Sequence, residues 1–267
     1  MELIDLKNLK QEKLNTGNIL LNNFLGGGIE KDIITTFYGP SGSGKTNFCL
    51  MLLNQVINNG QKVIYVDTEG GLSLERLKQI NSENYETILS NTYLFKPTSF
   101  NMQNNVFSNI NDMISKLKEK NIGIILVDSI VYLYRLEMAK NKNIPLINQM
   151  LAKQIGILTD IARILNIPVV LTNQVYANFE KKETVNMVGG DILKYTSKAL
   201  MELKIVKPID DYEHLNRIRK VSIIKNRFIP EGKSEYFEIC NKGIKEIDSS
   251  SLEYYDIKRK ISKSDFY

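Results

Sequence analysis

The sequence predicts an α/β domain with a mainly parallel central sheet flanked by helices and antiparallel strands towards the C-terminus. Three observations predict it. Short, β-rich apolar runs alternate with longer stretches of helical period. The runs over 62–67 and 122–128 are continuously apolar, as in parallel strands covered by helices on both faces. From Ala199 onward, strand-like runs are joined by short polar connections, the pattern of antiparallel additions to one sheet edge.

Taken in order, residues 33–38 read as the first strand, and a glycine-rich turn leads into a helix over 45–57. Residues 62–67 and 122–128 read as further strands. Ile147, Met150, Leu151, Gln154, Leu158, Ile161 and Leu165 recur at helical spacing and predict a long amphipathic helix. Its stripe belongs to the core, with Gln154 as the single polar member. Asn166-Ile167-Pro168 marks the entry to a strand over 167–172, and strands over 199–206, 220–225 and 234–240 follow. No internal repeat or low-complexity linker interrupts the pattern, so residues 1–267 read as one domain. The last stretch, 249–267, mixes Ser, Lys and Tyr and reads as a loosely held tail.

Composition narrows the class. A chain of 267 residues, 43% hydrophobic and 24% charged, has the size and balance of a globular domain. No apolar run reaches the ~18 residues that cross a bilayer. Met1-Glu2-Leu3-Ile4-Asp5 lacks a basic region followed by an apolar stretch, so a cytoplasmic protein without a membrane partner is expected. Cys49 and Cys240 form no close-spaced motif, so a disulfide scaffold is not indicated and a cysteine zinc site lacks ligands. His214, the one histidine, reads as a surface residue near a turn. The net charge of +5 permits nucleic-acid binding, and a solvated lysine surface explains it equally well.

The sharpest signal is Gly39-Pro40-Ser41-Gly42-Ser43-Gly44-Lys45-Thr46, a G-x-x-x-x-G-K-T run between a predicted strand and a predicted helix. Glycines let backbone N–H groups turn inward around phosphates, and the helix N-terminus adds positive potential there. Lys45 neutralises the β- and γ-phosphates of a bound nucleotide, and the Thr46 hydroxyl suits Mg²⁺. Asp128 ends the apolar strand Ile124-Ile125-Leu126-Val127 and is the candidate carboxylate for the Mg²⁺ shell. Glu69, two residues past the second strand, lies where parallel sheets bind ligands and is the candidate for orienting and deprotonating water. That assignment expects its strand to lie beside the phosphate loop; the alternative is a helix-cap or turn carboxylate. Gln174 ends Leu171-Thr172-Asn173 and is either a γ-phosphate sensor or a polar turn residue, with nothing in the spacing to choose between them.

Together these pieces resemble the RecA/RadA recombinases. The resemblance covers roughly residues 14–247, through Asn15-Thr16-Gly17, Leu25-Gly26-Gly27-Gly28-Ile29, the phosphate loop, Asp67-Thr68-Glu69-Gly70, Val127-Asp128-Ser129, Thr172-Asn173-Gln174-Val175, Gly189-Gly190 and Pro230-Glu231-Gly232. Asp-Thr-Glu-Gly with Thr-Asn-Gln-Val is far more specific than a phosphate loop alone. The phosphate loop, Val66-Asp67-Thr68-Glu69-Gly70-Gly71-Leu72-Ser73 and Arg227-Phe228-Ile229-Pro230-Glu231-Gly232 are most similar to the short archaeal RadB group. The resemblance implies a RecA-like P-loop NTPase core that binds ATP and Mg²⁺, with Lys45, Thr46, Asp128 and Glu69 in the roles above. It also implies that Arg76 lies against adenine, a surface arginine being the plainer alternative. Lys225 and Arg227 would reach the γ-phosphate of a neighbouring subunit in a homo-oligomer, like arginine fingers.

The sequence departs from full-length recombinases in ways that shape the functional expectation. About 15 residues precede Thr16-Gly17, too few for an N-terminal helical domain and an aromatic polymerisation segment, so filament assembly by that route is not expected. The first DNA loop is expected over 138–145; it keeps Lys140 and Lys142 without a Gly-Arg-Gly-type element. The second is expected over 175–188, with Lys181 and Lys182 beside Glu180 and Glu183, and with Tyr176 and Phe179 available either to stack on bases or to tuck into the loop. The expectation is a weak DNA-associated ATPase acting in DNA repair and recombination as an accessory factor, without strand exchange of its own. Its partners would be single-stranded or branched DNA, and the main recombinase RadA or a junction nuclease. The alternative is a KaiC-like regulatory ATPase working through protein contacts.

Overall fold

The computed structural model describes residues 7, 11–116, 121–177, 185–206 and 218–247, and these described residues form twelve strands and eight helices. The order is β1 (Lys13–Leu14), α1 (Ile19–Phe24), β2 (Ile29–Glu30), β3 (Ile34–Gly39), α2 (Lys45–Asn58), β4 (Lys62–Asp67), α3 (Leu74–Ile80), α4 (Tyr85–Ser90), β5 (Thr92–Phe95) and α5 (Phe100–Lys116). Then come β6 (Ile122–Asp128), α6 (Tyr132–Lys140), α7 (Ile144–Leu165), β7 (Val169–Ala177), β8 (Val185–Met187), α8 (Gly190–Thr196), β9 (Ala199–Ile205), β10 (Ile218–Lys225), β11 (Ser234–Cys240) and β12 (Gly243–Glu246). The tail over 249–267, His214, and Phe179, Lys181 and Lys182 of the second expected DNA loop lie outside the described residues.

β1 and β2 form a small antiparallel pair, and the other strands form one sheet in the order β12-β11-β10-β9-β3-β7-β6-β4-β5, with β8 paired to β7. The run from β9 to β5 is parallel, and β10, β11 and β12 add antiparallel strands at one edge. The antiparallel part thus begins one strand later than the style change at Ala199 suggests, because β9 pairs parallel with β3.

The continuous apolar runs have a direct cause. Along β4, Val63 and Tyr65 point into the core on one face, while Ile64 and Val66 point into the core on the other. Each core is closed by helices: Phe48, Leu52 and Val56 of α2 on the first face, and Leu151, Leu158 and Ile161 of α7 on the second. Full burial of each such side chain stabilises the fold by about 1.5–3 kcal/mol before entropy is counted. Among the described residues, no helix is long and apolar enough to cross a membrane.

Two of the boundaries that differ from the sequence-based expectation fall at segments expected to have a functional role. The strand expected over 167–172 begins at Val169, after Pro168, and continues to Ala177 because β8 pairs with residues 175–177 beyond the edge of the main sheet. The first expected DNA loop, over 138–145, is mostly helix. α6 runs to Lys140, and Asn143 caps α7 by accepting from the Leu146 amide, with Pro145 in its first turn.

Candidate nucleotide site

The phosphate loop follows β3, where the chain leaves the C-terminal edge of the parallel strands. Gly44 takes a left-handed conformation (φ 101°) and caps α2 without a side-chain hydrogen bond, so the first amides of a 14-residue helix face the loop. A Cβ on Gly44 would press on the end of the Ile239 side chain at 3.0 Å, a contact a small shift of Cδ1 relieves, so it is the left-handed backbone that calls for glycine. Ser41, Gly42, Gly44, Lys45 and Thr46 line a cleft. Asn47, Glu69, Asp128 and Gln174 line its other walls. Gly39, Pro40 and Ser43 form the loop behind it: Lys45 Nζ donates to the carbonyls of Gly39 (2.9 Å) and Pro40 (2.8 Å), and the Ser43 amide donates to Pro40 O. Burial lowers the Lys45 pKa below the usual lysine value, opposed by the negative charges of Asp128 and Glu69.

Asp128 sits at the end of β6 and is 5% exposed. Thr46 Oγ1 donates to its Oδ2 at 2.7 Å, Tyr65 Oη donates to the same oxygen at 3.1 Å, and Thr172 Oγ1 donates to Oδ1. Three hydroxyls on three elements therefore aim one carboxylate at the start of α2. Burial, reinforced by Asp128, pushes the Tyr65 phenol well above its usual pKa, which keeps it a donor. A hydroxyl and a carboxylate oxygen are hard donors of the kind Mg²⁺ takes, and Mg²⁺ draws its other ligands from phosphates and water. The residues present fit MgATP on this chemistry, although among the described residues no three His, Cys, Asp or Glu side chains cluster as a metal cage.

The strand order corrects one expectation. The strand before Glu69, β4, is separated from β3 by β7 and β6 and is not beside it. Glu69 reaches the cleft because it lies beyond the strand end, on the segment that turns back across the sheet edge. The turn itself is held by Asp67, whose carboxylate accepts from the amides of Gly70, Gly71 and Leu72, and the cap of α3 is Ser73. Glu69 does neither job. It accepts from Ser129 Oγ and, through both oxygens, from Gln174 Nε2 at 2.9 and 2.8 Å. Gln174 lies within β7, not in a turn, and its Oε1 accepts from Arg135 at 3.0 Å. The peptide between Asp128 and Ser129 is cis.

Arg76 stands next to this group. Its guanidinium donates to Asn47 Oδ1 (2.8 and 3.2 Å), to the carbonyls of Cys240 (2.7 Å) and Asn241 (3.1 Å), and to Gln79, so it ties α3 to the start of α2 and the β11–β12 turn. Lys225 and Arg227 are elsewhere. Lys225 pairs with Leu200, which is level with Thr36, and its Nζ donates to Lys194 O. Arg227 binds Glu30 (2.6 Å) and Asp32 (3.3 Å), which precede β3. Both side chains therefore lie towards the end of the sheet opposite their own phosphate loop.

Arg219, Tyr65 and Arg135 were not among the residues singled out as functional from sequence. Arg219 Nε donates to Gly42 O at the tip of the phosphate loop (2.9 Å). The sequence pattern begins that strand at 220 while β10 begins at Ile218, so Arg219 falls outside the expected element. Tyr65 is hidden in an apolar run and reads as core. Arg135 sits on a helix whose side chains give no pattern that separates it from a surface arginine.

The family match agrees with this architecture. The family model for Rad51 matches residues 8–247. The chain belongs to the RadB group of the Rad51 family. It is 39% identical over 240 residues to the DNA repair and recombination protein RadB of Methanosphaera stadtmanae, covering 90% of this chain and 98% of that one. It is 41% identical to the RadB of Methanobrevibacter smithii, covering 84% and 92% of the two chains. A solved structure titled crystal structure of the RadB recombinase superposes with a TM-score of 0.69 at 35% identity, over 88% of this chain and all of that one. The RecA-like core and the RadB resemblance read from the motifs agree with these matches.

Proposed function

We propose that this chain binds MgATP in the phosphate-loop cleft, hydrolyses it weakly in association with DNA, and serves DNA repair and recombination as a recombinase paralogue with an accessory or mediator role. The convergence of Lys45, the Thr46–Asp128 pair and Glu69 on one cleft carries the reading. Lys45 and the amides at the start of α2 bind the triphosphate. Thr46 and Asp128 hold Mg²⁺, which neutralises charge on the β- and γ-phosphates. Glu69 orients the attacking water and accepts its proton, and Gln174 lies where it can respond to the γ-phosphate. The Arg76 guanidinium, held edge-on by Asn47 and the Cys240 carbonyl, supplies a flat face for adenine. The names carried by the RadB relatives support the repair role.

The partners proposed are DNA, single-stranded or branched, and a main recombinase or a junction nuclease. The test is ATPase activity with and without single-stranded DNA, alongside DNA binding at two salt concentrations. The expected result is slow turnover, weak stimulation, and affinity for DNA that falls steeply with salt as phosphate contacts are lost. Robust strand exchange by the purified protein alone would overturn the accessory role. Binding partners that are proteins only, with no salt-sensitive DNA binding, would favour a regulatory ATPase.

A further inference from the structure

We infer that Arg135 is a positioning residue for Glu69, acting through the side-chain amide of Gln174. The inference rests on the proposed role of Glu69 and extends it to α6. The geometry is a short chain of hydrogen bonds. The Arg135 guanidinium donates to Gln174 Oε1 at 3.0 Å, and Gln174 Nε2 donates to both Glu69 oxygens at 2.9 and 2.8 Å.

The polarity of the chain is fixed by its two ends. An ionised carboxylate only accepts, and a guanidinium only donates. An amide placed between them has one satisfactory orientation, with its oxygen towards Arg135 and its nitrogen towards Glu69. Without Arg135 the Glu69 end alone still favours this orientation, and the amide loses the donor that anchors its oxygen and holds it against rotation. A flipped amide would set its oxygen against the Glu69 carboxylate, acceptor against acceptor. Ser129 Oγ donates to Glu69 Oε1 but not to Oε2, so Gln174 is the group that holds both oxygens at once. Glu69 itself is exposed, so packing does not fix its rotamer, and these hydrogen bonds do. Arg135 is half-buried on the first half of α6, close behind the Asp128–Ser129 strand end that carries the other partner.

The test uses Arg135→Ala, Gln174→Ala and the double variant in the full chain. ¹⁵N-edited NMR of the nucleotide-free protein reads the Gln174 Nε2 protons directly, without any need for hydrolysis. Arg135→Ala is expected to move them to the position of a solvent-exposed amide while backbone resonances away from α6 hold still. In hydrolysis assays the same variant is expected to lower kcat about tenfold with the KM for ATP unchanged, since the group acts on the water-orienting carboxylate and not on nucleotide. The double variant is expected to fall no further than Gln174→Ala, because both act through one path. Unmoved amide protons, or losses that multiply in the double variant, overturn the inference. Lys45→Ala separates the two levels. If that variant keeps full MgATP affinity, the nucleotide-site reading fails, and the amide protons alone decide the case for Arg135.

Discussion

Asp128 and Glu69 are both carboxylates at the ends of neighbouring parallel strands, yet their surroundings differ. Asp128 is buried, takes three hydroxyl donors and faces Thr46; Glu69 is exposed and takes an amide and one hydroxyl. Glu69→Gln should therefore leave MgATP affinity intact and cut turnover by about 10² or more, as loss of a general base does. Asp128→Asn should instead raise the Mg²⁺ concentration needed for nucleotide binding, measured by titrating Mg²⁺ at fixed ATP. Lys45 gives a pH prediction. Its pKa is lowered in the folded protein, so the charged form is disfavoured there. The resulting penalty on stability is fully present at neutral pH and is relieved as pH rises through the folded and then the unfolded pKa. Phosphate affinity runs the other way, falling as Lys45 loses its proton, so ATP binding should weaken at a lower alkaline pH than an ordinary lysine would give. At this scale the sequence names the phosphate loop, Asp128 and Glu69, because each has a local signature: a glycine spacing, a strand end, a short motif. It does not show that Asp67 holds the turn and frees Glu69, since two carboxylates in four residues look alike until the backbone folds around one of them.

Among elements, α5 and α7 meet over a buried polar pair. Gln103 Nε2 donates to Gln154 Oε1 at 2.8 Å and to Ile130 O at 3.1 Å, and Gln154 Nε2 donates to Phe100 O. Both side chains are fully buried. Gln154 is the one polar residue on the helical stripe read from sequence, and its placement among Leu151, Ile155 and Leu158 agrees with that stripe being core. Its partner was not legible, because the pairing joins residues 51 apart on different helices. Gln154→Leu should destabilise the fold by about 1–3 kcal/mol, the penalty of a buried amide left short of partners, read as a lower midpoint in urea unfolding. Adding Gln103→Leu should recover much of that loss, since neither polar group then remains. The parallel strands were legible because apolar side chains fill both faces; β5 and β12 were missed because each has only four residues and the first carries polar and exposed positions. The β7–β8 extension was missed for another reason: strand pairing across 178–184 depends on where the partner returns, which no local pattern records.

At the scale of the whole molecule, the basic residues expected to act in trans occupy the sheet end opposite the phosphate loop. Lys225 is level with Thr36, and Arg227 binds Glu30 and Asp32 before β3 begins. Service to the chain's own triphosphate would require crossing the sheet, whereas a head-to-tail stack of two copies would set this end against the next cleft. The two residues differ in what their loss would do. Glu30 is 4% exposed and only its Oε2 is paired, so Arg227→Ala would strand a buried carboxylate and lower stability as well as any trans activity. Lys225 is half-buried and its one hydrogen bond goes to the Lys194 carbonyl, so Lys225→Ala strands no buried charge and should lower the unfolding free energy in urea by no more than about 1 kcal/mol. The decisive measurement is specific ATPase activity across a range of protein concentration. If the trans arrangement holds, wild-type activity per chain rises with concentration, and Lys225→Ala flattens that rise without changing nucleotide affinity. Activity per chain that is independent of concentration, or a Lys225→Ala curve identical to the wild type, would leave these basic residues as surface charges and the cleft as a site completed within one chain.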